Sequence, residues 1–167
     1  MIVRNKLNRR KGFSLTELLA AVLILGMVSS VVAGGIPVAR DAYNKVTVSA
    51  NAQVLMSTTI SALRSQLGVA KIVDDDEMSI KYLNGKNGAN SVISLDSGKI
   101  MIQEYADDTK KPGIRQLVPG TDDLYATYTG ISRDDNLVTF SGFTVKKTGE
   151  TKDYVTPIDV SIRVIGN

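Results

Sequence analysis

Glu17 is the residue whose position most demands a chemical explanation. It stands four residues after Phe13, at the edge of a stretch from Leu18 to Ala39 that holds no charged side chain over 22 residues. Just ahead of it lie Gly12 and a basic cluster of Arg4, Lys6, Arg9, Arg10 and Lys11. A carboxylate within a membrane-length segment costs about 2.5–3.5 kcal/mol at the bilayer centre, so by default it marks a functional site. A plainer reading stands beside that one. In the first turn of a helix, a carboxylate is favoured by the positive end of the helix dipole.

Other residue types narrow the chemistry further. The chain has no Cys and no His. Disulfides, thiolate metal sites, Cys nucleophiles and His-based general bases are therefore all excluded. Carboxylates cluster at Asp74, Asp75, Asp76 and Glu77, at Asp107 and Asp108, at Asp122 and Asp123, and at Asp134 and Asp135 beside Asn136. Oxygen ligands suit calcium, so a loop calcium site is one reading of these runs. None has the alternating EF-hand spacing, and solvated turn carboxylates are the other reading. Nothing in the sequence brings two carboxylates into one pocket as a hydrolytic couple, so no enzyme and no cofactor is expected. The run from Asn84 to Gly88 lacks the Lys-Ser/Thr ending of a phosphate loop and reads as a Gly/Asn turn.

The net charge of +3 is unevenly distributed. Five of the 20 basic residues fall within the first eleven positions, leaving 15 against 17 acidic residues in the remainder. The bulk of the chain thus lacks a basic footprint, and direct nucleic-acid binding is not expected.

These residues need elements to position them. A helix over the 22 uncharged residues spans about 33 Å at ~1.5 Å per residue, matching a hydrocarbon core of about 30 Å. The basic flank belongs on the cytoplasmic side, which places everything after Arg40 outside. A cleaved secretory signal has a shorter apolar core, about 7–15 residues, although Ser29, Ser30, Ala33 and Gly34 imitate its cleavage site. A plain signal anchor accounts for length and orientation but not for Glu17.

Residues 11–25 read Lys-Gly-Phe-Ser-Leu-Thr-Glu-Leu-Leu-Ala-Ala-Val-Leu-Ile-Leu. This run resembles the N-terminus of type IV prepilins and type II secretion pseudopilins. The resemblance implies a leader of residues 1–12 that a membrane prepilin peptidase removes after Gly12. It also implies N-methylation of the new terminal residue, Phe13, and an assembly role for Glu17 at the fifth mature position. Cleavage would create an ammonium at Phe13. A carboxylate that is costly alone in an apolar helix bundle is tolerated when paired, so Glu17 would set subunit register by meeting the Phe13 amine of a neighbouring copy.

Ser29, Ser30, Gly34, Gly35 and Pro37 weaken the helix, since Gly costs about 1 kcal/mol and Pro about 3 kcal/mol in a helix interior. A helix break at Gly34, Gly35 and Pro37 is therefore expected. It is either a Pro kink that neighbouring helices repair or a segment that stretches on filament packing. Helical periodicity returns with Ala42, Val46, Ala52, Leu55, Met56, Ile60, Leu63 and Leu67, and Gly68 is the stop. One helix over about residues 14–67 is predicted.

Beyond it, alternating runs at Met78–Leu83, Val92–Leu95, Lys99–Tyr105, Leu124–Tyr128, Leu137–Val145 and Tyr154–Val164 read as strands. Asp96-Ser97-Gly98 reads as a hairpin turn. In the last run, Ile158, Val160, Ile162 and Val164 share one face. The expected architecture is α+β: a long N-terminal helix, membrane-spanning in its first half, packed on a C-terminal antiparallel sheet. The expected segments are the leader 1–12, a membrane and filament-core helix 13–39, an amphipathic continuation 40–68 and a globular β domain 69–167.

The expected function is that of a structural subunit of a type IV pilus-like filament, major or minor. Alternatives are a pseudopilin of a secretion or competence DNA-uptake system, or a single-span surface protein that binds a ligand as a monomer. The expected partners are other copies or other pilins, the prepilin peptidase, inner-membrane assembly machinery and, before assembly, membrane lipid. The C-terminus has no Leu-Pro-x-Thr-Gly motif and no apolar tail followed by basic residues, which argues against a sortase-linked wall protein. The lack of Cys departs from the disulfide-closed loop of many Gram-negative major pilins and mildly favours a disulfide-free system.

Overall fold

A computed structural model describes residues 13–105 and 113–166. The basic leader cluster Arg4, Lys6, Arg9, Arg10 and Lys11, the cleavage position Gly12, and Asp107 and Asp108 lie outside the described residues. The chain divides into two compact units, Met1–Lys45 and Val46–Asn167.

One helix, α1, runs from Leu15 to Leu67 over 53 residues. Gly34, Gly35 and Pro37, where a break was expected, all lie within the continuous helix of this single chain. The ring of Pro37 fixes a φ that is already helical and removes one N–H from the ladder, so the penalty is local. At the other end the helix stops as expected. The Gly68 amide bonds to the Arg64 carbonyl at 2.9 Å, and the Ala70 amide to that of Leu67 at 3.1 Å. A Cβ at Gly68 would sit 2.7 Å from the Arg64 carbonyl oxygen, so a larger residue would collide with the last turn.

In the first unit, every described residue is exposed. In the second, one face of α1 from Ala52 onward lines a core shared with eight of the nine strands found among the described residues, β5 contributing no buried residue. Ala52, Leu55, Met56, Leu63 and Leu67 are buried at three- and four-residue spacing, joined by Thr59. Ala42 and Val46 share the periodicity but are exposed. Periodicity marks which side of a helix is apolar, while burial also needs a covering element.

The strands form two antiparallel sheets, where one was expected. The first is a meander of β1 (Lys71–Asp76), β2 (Ser79–Leu83), β3 (Asn90–Asp96), β4 (Lys99–Tyr105) and β5 (Gly113–Gln116). The second comprises β6 (Leu124–Thr127), β7 (Gly130–Asp134), β8 (Leu137–Lys147) and β9 (Ile158–Arg163), with β8 pairing with the other three. Three strands had no counterpart in the sequence reading. β1 and β7 carry Asp residues that look like loop chemistry, and β5 is only four residues long. The last strand begins at Ile158, later than expected, because Pro157 has no N–H to offer the ladder. Val160, Ile162 and Val164 are buried as their alternation requires, while Ile158 at the start of that face is exposed.

Two turns shape the sheets. Ser97 and Gly98 both have positive φ, 52° and 78°, the signature of a tight two-residue hairpin between β3 and β4. In β8, Phe140 and Phe143 are both fully buried although residues three apart normally face opposite sides of a strand. The register against β9 shifts between them, and Gly142 sits there at φ 58°. That bulge inserts one extra residue and returns Phe143 to the core side. A Cβ at Gly142 would lie 2.6 Å from Thr129 Oγ1, so the position is closed to larger residues.

Among the described residues, no buried side-chain nitrogen or oxygen lacks a hydrogen-bond partner. Tyr128 donates to the Met78 carbonyl at 2.9 Å and meets Phe140 edge-on at 5.2 Å. Gln66 Oε1 accepts from the Tyr82 hydroxyl at 3.3 Å and from Asn84 Nδ2 at 3.2 Å, tying α1 to the first sheet. Burial pushes the Tyr82 hydroxyl up to about 12 and raises that of Tyr128 as well.

Two outcomes follow. Phe140→Ala, which empties a fully buried site, should cost about 3–5 kcal/mol of stability in denaturant unfolding. The tyrosines contribute stability that is whole below their unfolded value of about 10. It is lost as pH rises through about 12. Unfolding followed by circular dichroism across that window should therefore show destabilisation that Tyr82→Phe reduces.

Candidate functional site

The site begins at the first turn of α1. Ser14 precedes the helix and Leu15 is its first residue. Ser14 Oγ accepts from the Glu17 amide at 3.3 Å, and Glu17 Oε2 accepts from the Ser14 amide at 2.9 Å. This reciprocal pair is a capping box: two backbone donors that the helix cannot satisfy are met by side chains three residues apart. Ser14 Oγ also lies 2.7 Å from Thr16 Oγ1. The first turn is closed by the Leu18 amide on the Ser14 carbonyl at 3.2 Å.

Glu17 therefore has a partner inside its own chain. The carboxylate adds negative charge where the helix dipole is positive, so the local reading of this residue is realised. Ser14 is the residue that sequence reasoning passed over. Its signal was visible as Ser-x-x-Glu ahead of an apolar run.

Around this turn the helix is apolar and uncovered. Phe13 is 83% exposed and Leu15 81%, and Leu18, Leu19, Val22, Leu23, Ile24 and Leu25 are all exposed. Isolated exposed apolar residues are ordinary, but a continuous surface of this kind marks an interaction site. The helix is long and apolar enough to cross a membrane. Gly34, Gly35 and Pro37 lie in the same helix, and a Cβ at either glycine would meet nothing.

The clustered acidic residues belong to the second unit. Asp74 is in β1, 3.0 Å from Lys81 Nζ, and the hydrogen bond from that ammonium holds its carboxyl below the usual range. Asp75 lies 3.7 Å from Arg133 Nη1. Asp122 Oδ2 accepts from Asn51 Nδ2 at 3.0 Å. Among the described residues, no three carboxylates are grouped to hold a metal ion. A groove on the first sheet, about 300 Å³ in volume, is lined by Val73, Lys81, Tyr82, Asn90, Ser91, Val92 and Tyr105 and carries no carboxylate. The Asn84–Gly88 turn closes on itself: Asn84 Oδ1 accepts from the Lys86 amide at 2.9 Å, and the Gly88 amide donates to the Asn84 carbonyl at 2.8 Å.

Residues 7–33 match the family model described as the prokaryotic N-terminal methylation motif. That motif is the leader signature of type IV pilins and pseudopilins. It spans Gly12, Phe13, Ser14 and Glu17 and the first part of the apolar helix. No match was found among curated proteins or solved structures.

The ion pairs at Asp74 and Asp75 give a direct test of the calcium reading. Millimolar calcium, or its removal by EDTA, should leave the thermal midpoint of the protein unchanged. A midpoint that rises with calcium would establish a site that these pairs do not suggest.

Proposed function

We propose that this chain is a structural subunit of a type IV pilus-like filament, a major or minor pilin that assembles through α1 after its leader is removed. The carrying observation is the coincidence of the methylation motif with an exposed apolar helix that has one carboxylate in its first turn. Before assembly, that helix rests in the membrane. The leader's basic cluster holds the N-terminus at the cytoplasmic face, and the C-terminal unit lies outside. Cleavage after Gly12 by a prepilin peptidase, with methylation of Phe13, prepares the helix for transfer into a polymer. Membrane assembly machinery moves it from lipid to other copies, so the apolar surface exchanges one cover for another.

Glu17 supplies the register in this reading. An apolar helix sliding along others gains about the same burial at many offsets. A carboxylate that must meet an ammonium is satisfied at one. The Phe13 amine of a neighbouring copy is the natural counter-ion, and both groups sit at the same end of the helix. Pseudopilins share the motif. The presence of Glu17 favours a subunit that enters anywhere along a filament over one confined to the tip. The role is structural and needs no cofactor.

Mass spectrometry of protein from producing cells should find a mature chain beginning with methylated Phe13. Glu17→Ala should be processed normally. Breaking a buried pair costs about 3–5 kcal/mol, so its filament yield should fall by about 100-fold or more. Normal filaments from that variant, measured by shearing and electron microscopy, would refute the register role.

A further inference from the structure

We propose that Ser14 is a positioning residue for assembly: it holds Glu17 in a capping box, so that one carboxylate oxygen is engaged within the chain and the other is presented to the ammonium of a second copy. This rests on the proposed register role of Glu17 and adds the residue that orients it.

The geometry is specific about which oxygen does what. Glu17 Oε2 takes the Ser14 amide at 2.9 Å, and among the described residues Oε1 accepts no hydrogen bond. Ser14 Oγ anchors the Glu17 amide at 3.3 Å, and its 2.7 Å contact with Thr16 Oγ1 limits where that hydroxyl points. A glutamate on an exposed helix otherwise samples many rotamers, and a partner must pay to order it. Held in advance, the carboxylate meets a cation with less loss of freedom. A carboxylate has acceptor sites enough for both bonds, so the internal cap does not compete with the external ion pair.

The cap is also indifferent to processing. Its backbone donor is the amide joining Phe13 to Ser14, while leader removal breaks the bond between Gly12 and Phe13. The same box therefore exists before and after cleavage, and its carboxylate is already in place when the new ammonium appears.

Cap and charge are separable by substitution. Glu17→Gln keeps an acceptor for the Ser14 amide but removes the charge. Ser14→Ala keeps the charge but removes the hydroxyl. Ser14→Thr keeps both. Two readouts are needed on the full-length chain: hydrogen exchange of the Glu17 amide in the mature protein in detergent micelles, and filament yield from producing cells with leader cleavage monitored. Losing a Ser cap should speed that exchange about fivefold. The expected pattern is faster exchange and a several-fold lower filament yield in Ser14→Ala, with Ser14→Thr restoring both. Glu17→Gln should retain protection and still lose filaments.

Unchanged exchange in Ser14→Ala would overturn the cap. Faster exchange with full filament yield in Ser14→Ala would overturn the positioning role. Full assembly of both Glu17→Gln and Glu17→Ala would instead overturn the register role itself, and with it the proposal for Ser14.

Discussion

The constraint on which everything else depends is an apolar helix with one carboxylate at its start and no cover of its own. Residues 13–46 are exposed throughout, and among them stand the Leu, Val and Ile side chains of the uncharged run. Burying such a side chain is worth about 1.5–3 kcal/mol, so a surface of this extent does not remain in water. Lipid covers it without specificity, and other helices of the same kind cover it equally well. The apolar residues thus supply the drive to associate but not the geometry. Glu17 contributes little to the drive and imposes a cost on every arrangement that leaves it unmatched. In lipid, the capping box lowers that cost by giving the carboxylate an internal donor.

The second unit has a core of its own. With no Cys in the chain, its stability comes from packing. Its core joins the inner face of α1 from Ala52 to Leu67 to both sheets through Ile80, Ile93, Ile102, Val138, Phe140, Phe143 and Ile162. Polar groups drawn into that core are matched locally, as with Tyr128 on the Met78 carbonyl and the Tyr82 and Asn84 bonds to Gln66.

Legibility from sequence followed the range of the interactions. The helix, its stop at Gly68 and the Asp96-Ser97-Gly98 hairpin were readable because each is decided by residues close in sequence. So were six of the strands, whose apolar residues stand out between turn residues. β1 was not readable, because its Asp74, Asp75 and Asp76 imitate a loop and gain their place only by pairing with β2. β7 ends in Asp134 for a similar reason, held by its ladder with β8. Phe140 and Phe143 violate strict alternation, and only the bulge at Gly142 reconciles them. At the site, Glu17 announced itself by being charged in the wrong place. Ser14 stayed hidden because serine at a helix start is ordinary, and its importance comes from the residue three positions on. That the helix is continuous through Pro37 shows that local propensity is a penalty on a helix, not a veto.

In the proposed filament, the charges on the terminal strands would bear on how the sheets of neighbouring subunits meet. Subunits held side by side raise the local concentration of every exposed strand edge, and an unpaired edge is a template for further pairing. β1 is the terminal strand of its sheet and carries Asp74, Asp75 and Asp76, but it is covered by β7: the Ile131 amide donates to the Glu77 carbonyl at 2.7 Å, and Arg133 lies 3.7 Å from Asp75. Two of these are steadied by Lys81 and Arg133, which keeps the charge in place without neutralising the whole run. β9, bonded to β8 alone, alternates Asp159, Ser161 and Arg163 with its buried residues. Charges placed as on β9 make edge-to-edge pairing there costly. In the proposed filament, association would run through the apolar helix, where Glu17 is placed to set register.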